Sequence, residues 1–200
     1  MIVIDGRKSQ MQVSNFANLE EILVQVMEEE LENRVVTDII VNNEAFSELY
    51  PHQAEDIEAN EIQSVEVRTV SVQEMAGEIT TELYKVVTLM SNGATRAAGF
   101  LRKAEIGSAL EVVADLIDVT RHFLGTVALL RNEFSINRDT ELAPLTEKMS
   151  SLLDEMSEMI GQEDWFLLAD LAEYEFLPAC EDWNSVLGHL AQDIAEYKAA

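Results

Sequence analysis

Hydrophobic spacing divides the chain near residue 72. Before it, short runs with two-residue alternation surround one helical stretch. After it, three- and four-residue steps continue to the end. In the first part, residues 1–5 (MIVID) and 10–14 (QMQVS) are β-prone. Asp5-Gly6 between them is a hairpin-turn signal, because glycine accepts positive φ without a Cβ clash. Leu19, Ile22, Leu23, Val26, Met27 and Leu31 share one helical face. Asn18 with Glu21 three residues on fits a capped start, Ser14 and Asn15 being alternative caps, and Asn33 suits the end. Residues 35–41 predict a buried strand closed by an Asn42-Asn43 turn. The stretch 44–63 is polar and irregular. Val65, Val67 and Thr69, alternating with Glu66 and Arg68, predict a half-buried strand.

Four amphipathic seams fill the second part. The first runs from Met75 to Ala104, with Gly93 as a place where it could break, and Gly107 stands near the following turn. The second runs from Ile106 to Leu130, before a loop over residues 132–140. The third runs from Leu142 to Ile160, with Gly161 ending it. The fourth runs from Trp165 to Ile194, started by Asp164 or Glu163 and bent about midway at Pro178, which lacks an N–H and clashes with the preceding turn. Amphipathic helices joined by short connections pack antiparallel. The pattern predicts an α+β protein: a ββαββ domain over residues 1–72 and an antiparallel four-helix bundle over residues 73–200. Trp165, Trp183 and Pro178 are its expected structural anchors.

Composition narrows the function. The 200 residues carry 38 acids against 13 bases, a formal charge of −25, with 48% hydrophobic residues. That much apolar material separates the chain from charged disordered sequences. The charge disfavours nucleic-acid phosphates and anionic membrane surfaces as partners. No apolar stretch approaches the ~20 residues of a membrane span. The opening MIVIDGRKSQ has no secretory-signal architecture, and one cysteine cannot make an internal disulfide. A cytoplasmic setting is the expectation.

Candidate chemistry is thin. A carboxylate-bridged metal bundle wants Glu-x-x-His on two helices, and the residues three before His52, His122 and His189 are Leu49, Val119 and Val186. Asp118 and His122 are one turn apart, which suits a surface ion pair more simply than a metal site. Cys180 stands beside Glu181 and Asp182, which would raise its pKa, so a structural thiol is expected rather than a nucleophile. No Gly-x-Ser-x-Gly and no phosphate-binding glycine loop occurs. No catalytic residue, metal or cofactor is assigned. An enzyme would need a carboxylate/His site in the bundle, around Asp115, Asp118 and His122. Two acidic clusters remain, Glu28-Glu29-Glu30 and residues 55–61. They suit solvated surface, a face for a basic protein, or a DNA-mimicking inhibitor. Glu28, Glu29, Glu30, Asp56 and Glu58 are the expected partner contacts, so any electrostatic binding face is expected on the N-terminal domain. Eight methionines leave room for an adaptable seam that could pair two copies.

Two resemblances add to this. The order strand, strand, helix, strand, loop, strand, carried by VVTDIIVNNEAFSEL and EIQSVEVRTVSV, resembles the β-grasp (ubiquitin-like) fold, which implies a docking surface and a last strand beside the first. LLDEMSEMIGQEDW running into LLADLAEYE is similar to the helix-turn-helix of flagellar export chaperones. The stretch GFLRKAEIGSALEVVADLIDVTRHFLGTV looks like the bundles among them that hold flagellin. These resemblances imply a non-catalytic adaptor, assembly factor or chaperone-like binder of another protein, one linked to flagellar or secretion function.

Overall fold

The computed structural model describes residues 1–31, 33–47, 53–136 and 139–197. It comprises two compact units, Met1–Met75 and Ala76–Ala200. In the first, β1 (Ile2–Ile4) turns through Asp5 and Gly6, both at positive φ (47° and 76°), into β2 (Arg7–Lys8). The two-residue turn pairs Ile4 with Arg7, so the partner strand begins at residue 7. That is why QMQVS is not the second strand. Its Val13 instead buries in the core from a short 3₁₀ turn over Val13–Asn15.

Helix α1 (Leu19–Glu30) starts where the capping pattern predicts. The Asn18 side chain accepts from the Glu21 amide at 3.0 Å, and the Glu21 carboxylate accepts from the Ala17 amide at 2.8 Å. Asn33 follows the helix in the left-handed region, φ 57°. Strand β3 (Arg34–Val41) turns through Asn42 and Asn43, both at positive φ, into β4 (Glu44–Phe46), a strand that the polar sequence hides. Strand β5 (Val65–Ser71) completes a five-stranded mixed sheet of order β2-β1-β5-β3-β4, with β5 parallel to β1 and antiparallel to β3. The core joins Ile2, Ile4, Val65 and Val67 of the sheet to Leu19, Ile22 and Val26 of α1. Strand β3 is not buried as expected. Val36, Ile39 and Val41 only partly bury against this core, and Val35 on the same strand is exposed.

Helix α2 (Val72–Arg102) opens on a reciprocal cap. Ser71 Oγ accepts from the Glu74 amide at 3.0 Å, and the Glu74 carboxylate accepts from the Ser71 amide at 2.9 Å. Gly93 does not break α2. An added Cβ there would meet Leu116 Cδ1 at 3.4 Å, an ordinary packing distance against α3 (Ile106–Glu133). Helix α4 (Asp139–Gln162) passes through Gly161 and ends at Gln162, with Glu163 just beyond it at φ 57°. The fourth seam is then cut in three: α5 (Trp165–Asp170), a π-helical turn (Leu171–Phe176) and α6 (Leu177–Glu196). Among the described residues, five helices therefore follow the sheet. The disturbance lies one turn upstream of the expected bend, with Pro178 in the first turn of α6. Proline at 178 has no N–H to give and crowds the carbonyl of Tyr174. A wider turn absorbs both defects.

Packing in the second unit follows the seams. Tyr84 Oη lies 3.3 Å from where a Cβ on Gly188 would stand, and Arg102 bonds Asp170, so α2 runs antiparallel to the α5–α6 segment. His189 meets Glu141 and Lys148 meets Asp182, so α4 is antiparallel to α6 as well. Trp183 is fully buried and meets Phe123 of α3 edge to face, ring centres 5.0 Å apart. Trp165 is only half-buried, so Trp183 is the anchor of the last segment and Trp165 borders the surface.

Candidate partner-binding surfaces

The acids singled out by sequence do not form one cluster. Asp56 and Glu58 are exposed at the N-terminal end of α1, where the Leu19 amide donates to the Ile57 carbonyl and the Ala59 amide to the Ala17 carbonyl. Carboxylates there complement the positive end of the helix. Glu28 and Glu29 are exposed at the opposite end, nine or more residues along α1, or roughly 14 Å at 1.5 Å per residue. Gln25 donates to Glu29, and Asn60 donates to Glu58 at 2.9 Å. Glu30 closes α1, but its side chain is outside what the structure describes, as is His52. Val24 and Met27 stand exposed on the same helix, 47% and 49% accessible, with Glu28 one turn after Val24.

The other candidates resolve into structural roles. Asp118 and His122 are both exposed, yet their side chains do not pair. His122 Nδ1 lies 2.8 Å from the Asp118 main-chain carbonyl, and the Asp118 carboxylate lies 3.8 Å from Arg121. Among the described residues no group of three His, Cys, Asp or Glu is placed to hold a metal ion. Cys180 is buried, and burial, more than neighbouring Glu181, pushes its thiol up to about 11. In the folded chain at neutral pH, maleimide should label Cys180 about a hundredfold or more slowly than in the urea-unfolded chain, since only thiolate reacts. Equal rates would show that the thiol is open to solvent.

A surface that the sequence expectations passed over lies on α5 and the π turn. Phe166 is 77% exposed, Leu167 45% and Tyr174 62%. Phe166 and Tyr174 are eight residues, about two helical turns, apart, with Tyr174 inside the π turn. From Glu158 to Asp182 the chain has eight carboxylates and no Lys, Arg or His. Glu163, Asp164 and Glu175 are exposed around the aromatic pair. Arg102 of α2 reaches across to Asp170 at 2.8 Å and Glu173 at 2.6 Å, pinning the π turn to α2. Glu173 first, then Asp170, raises the Arg102 pKa, so its charge is fixed at every ordinary pH. The sequence signal was present: Phe166 and Tyr174 are aromatic residues off the seam formed by Leu168, Leu171, Ala172 and Phe176.

Residues 78–186 match a family described as a domain of unknown function, DUF8042. The chain belongs to the DUF8042 family. Residues 1–70 match a second such family, DUF8043. No curated protein and no solved structure matches the chain. The likeness to flagellar export chaperones thus has no named homologue behind it, and neither family description names a chaperone or flagellar role. The α5–π surface and Cys180 both fall inside the DUF8042 segment, while Glu28, Asp56 and Glu58 fall inside the DUF8043 segment. No described helix is long and apolar enough to cross a membrane.

Proposed function

We propose that this DUF8042 chain is a non-catalytic protein-interaction module, an adaptor or assembly factor of the cytoplasm, that captures a basic amphipathic segment of another protein on its α5–π surface. One observation carries the proposal: Phe166 and Tyr174 stand in solvent on a stretch with eight carboxylates and no Lys, Arg or His of its own, only Asp170, Glu173 and Asp182 being paired, with Arg102 and Lys148, among the described ion pairs. Exposed aromatics clustered with a polar rim are the usual dress of a docking site, and carboxylates around them steer a cationic partner and set its register. A second copy of the chain would bring the same carboxylates against each other, which disfavours a homodimer through this face.

The fold supports the same reading. The strand order β2-β1-β5-β3-β4, with β5 beside β1, favours a β-grasp unit. Helices α2, α3, α4 and the interrupted α5–π–α6 run are read as the four members of an antiparallel bundle. Under this reading the π turn aims Tyr174 outward while Phe176 stays in the core.

Titration of the full chain with a synthetic Lys/Leu amphipathic helix tests the proposal. Trp165 adjoins Phe166, whereas Trp183 is fully buried, so emission changes report on this surface. The expected result is a saturable shift that weakens as salt rises. A scrambled peptide of equal charge should bind more weakly. Equal binding of the two peptides would reduce the surface to unspecific charge attraction and overturn the reading.

A further inference from the structure

The first unit carries a charge asymmetry that its acidity conceals. Residues 1–75 hold sixteen Asp and Glu against four Lys and Arg, and three of those four, Arg7, Lys8 and Arg34, line a single cavity of about 370 Å³ with Ile4, Asp5 and Ser9. A volume of that size is at the lower end for small-molecule pockets.

The geometry of Arg34 fixes the floor of this pocket. Its Nε donates to Thr69 Oγ1 at 2.6 Å, and its Nη2 donates to the Thr69 carbonyl at 3.0 Å and to Asp5 Oδ2 at 3.2 Å. Nη1 makes none of the described hydrogen bonds and keeps both hydrogens for a ligand. Asp5, the one carboxylate among the described lining residues, is itself engaged by three hydrogen bonds. Its Oδ1 accepts from the Thr69 amide at 2.8 Å and its Oδ2 from the Thr69 hydroxyl at 2.7 Å as well as from Arg34. Arg7 and Lys8 are exposed on β2 and form no ion pair among the described residues. A hydrogen-bonded guanidinium fork flanked by two exposed cations is the arrangement that recognises a compact, multiply charged oxyanion. Three cations against one engaged carboxylate leave an excess of two positive charges, which matches a dianion. The strongly negative remainder of the chain works against a long polyanion such as nucleic acid.

We propose that this pocket binds a phosphate monoester dianion, held by Arg34, Arg7 and Lys8. The site is separate from the α5–π surface, and neither reading depends on the other. The test uses the full chain at about pH 8, where a phosphate monoester is doubly charged, with inorganic phosphate as probe followed by amide shifts in NMR. The expected result is saturable shifts confined to residues 4–9 and 34. R7Q/K8Q removes two side chains that make no described contact, and it should weaken binding by about tenfold or more without changing thermal unfolding. Glycerol phosphate and a phosphoserine peptide separate the two sources of such a group: similar affinities point to a small metabolite, and much tighter peptide binding points to a modified protein. Shifts that never saturate, or binding unchanged in R7Q/K8Q, would overturn the assignment.

Asp5 of the pocket, and Glu74 outside it, also contribute an acid response. Hydrogen bonds from the Thr69 hydroxyl and amide, then Arg34, hold the Asp5 carboxyl below the usual aspartate value, and the Ser71 amide does the same for Glu74. A depressed folded-state pKa contributes stability that is present above about pH 4 and is lost as pH falls through the folded value. Asp5→Asn keeps the left-handed turn, since Asn tolerates positive φ. It should be less stable than the parent at neutral pH and converge with it near pH 2 in urea unfolding. A gap that persists undiminished at acid pH would contradict the charge-based account.

Discussion

Trp183→Ala should remove about 3–5 kcal/mol from the stability of the helical unit, the range for deleting a large aromatic side chain from a packed core. Trp183 is fully buried and faces Phe123 with ring planes at 89°, an edge-to-face pairing that adds about 0.5–1.5 kcal/mol beyond burial. The substitution would leave a cavity where α6 meets Phe123 of α3 that the helices only partly close. One term works the other way: Trp183 Nε1 is buried without a described hydrogen-bond partner, which costs the native state about 1–3 kcal/mol. Trp183→Phe removes that orphan donor while keeping an aromatic ring, so its loss should be less than half that of alanine. Urea unfolding followed by circular dichroism separates the two. A Trp183→Ala loss below about 1 kcal/mol would mean the last segment is not packed as described.

Phe166→Ser with Tyr174→Ser should have the opposite profile. Both side chains are mostly in solvent, so stability should stay within about 0.5 kcal/mol of the parent. Binding of a basic amphipathic peptide should fall by about 3 kcal/mol, somewhat over a hundredfold in Kd, because aromatic anchors at the centre of an interface carry most of its energy. Neutralising the rim instead, with Glu163→Gln and Glu175→Gln, should mainly lower the on-rate and flatten the salt dependence. Isothermal titration with each variant distinguishes anchor from rim. An unchanged Kd in the double serine variant would remove the aromatic pair from the binding account.

Local chemistry made much of this fold legible in the sequence. Asp5-Gly6 and Asn42-Asn43 mark two hairpins because few residues accept consecutive positive φ values, and Asn18 with Glu21 marks a helix start because the amides there need acceptors. The alternation Val65-Val67-Thr69 reads directly as a strand with one buried face. What stayed hidden depended on partners distant in sequence. Strand β4 has no apolar pattern of its own and exists because β3 offers it an edge. QMQVS has the composition of a strand, but a two-residue turn had already fixed the partner strand at residue 7. Pro178 announces a defect, yet whether the chain bends at it or widens into a π turn depends on the contacts holding α5 to α2 and α4. The proposed binding surface was obscured for a related reason. Acid runs draw the eye to Glu28-Glu29-Glu30 and residues 55–61, which α1 holds apart at its two ends. By contrast, Phe166 and Tyr174 become conspicuous only once burial shows which apolar residues the core has left outside.

The claim that the α5–π surface, rather than the acidic ends of α1, is the partner site is most directly tested by amide hydrogen exchange on the full chain with and without saturating basic amphipathic peptide. The account predicts slowed exchange confined to residues 163–177. Slowed exchange over residues 18–31 or 54–61, with 163–177 unchanged, would contradict it.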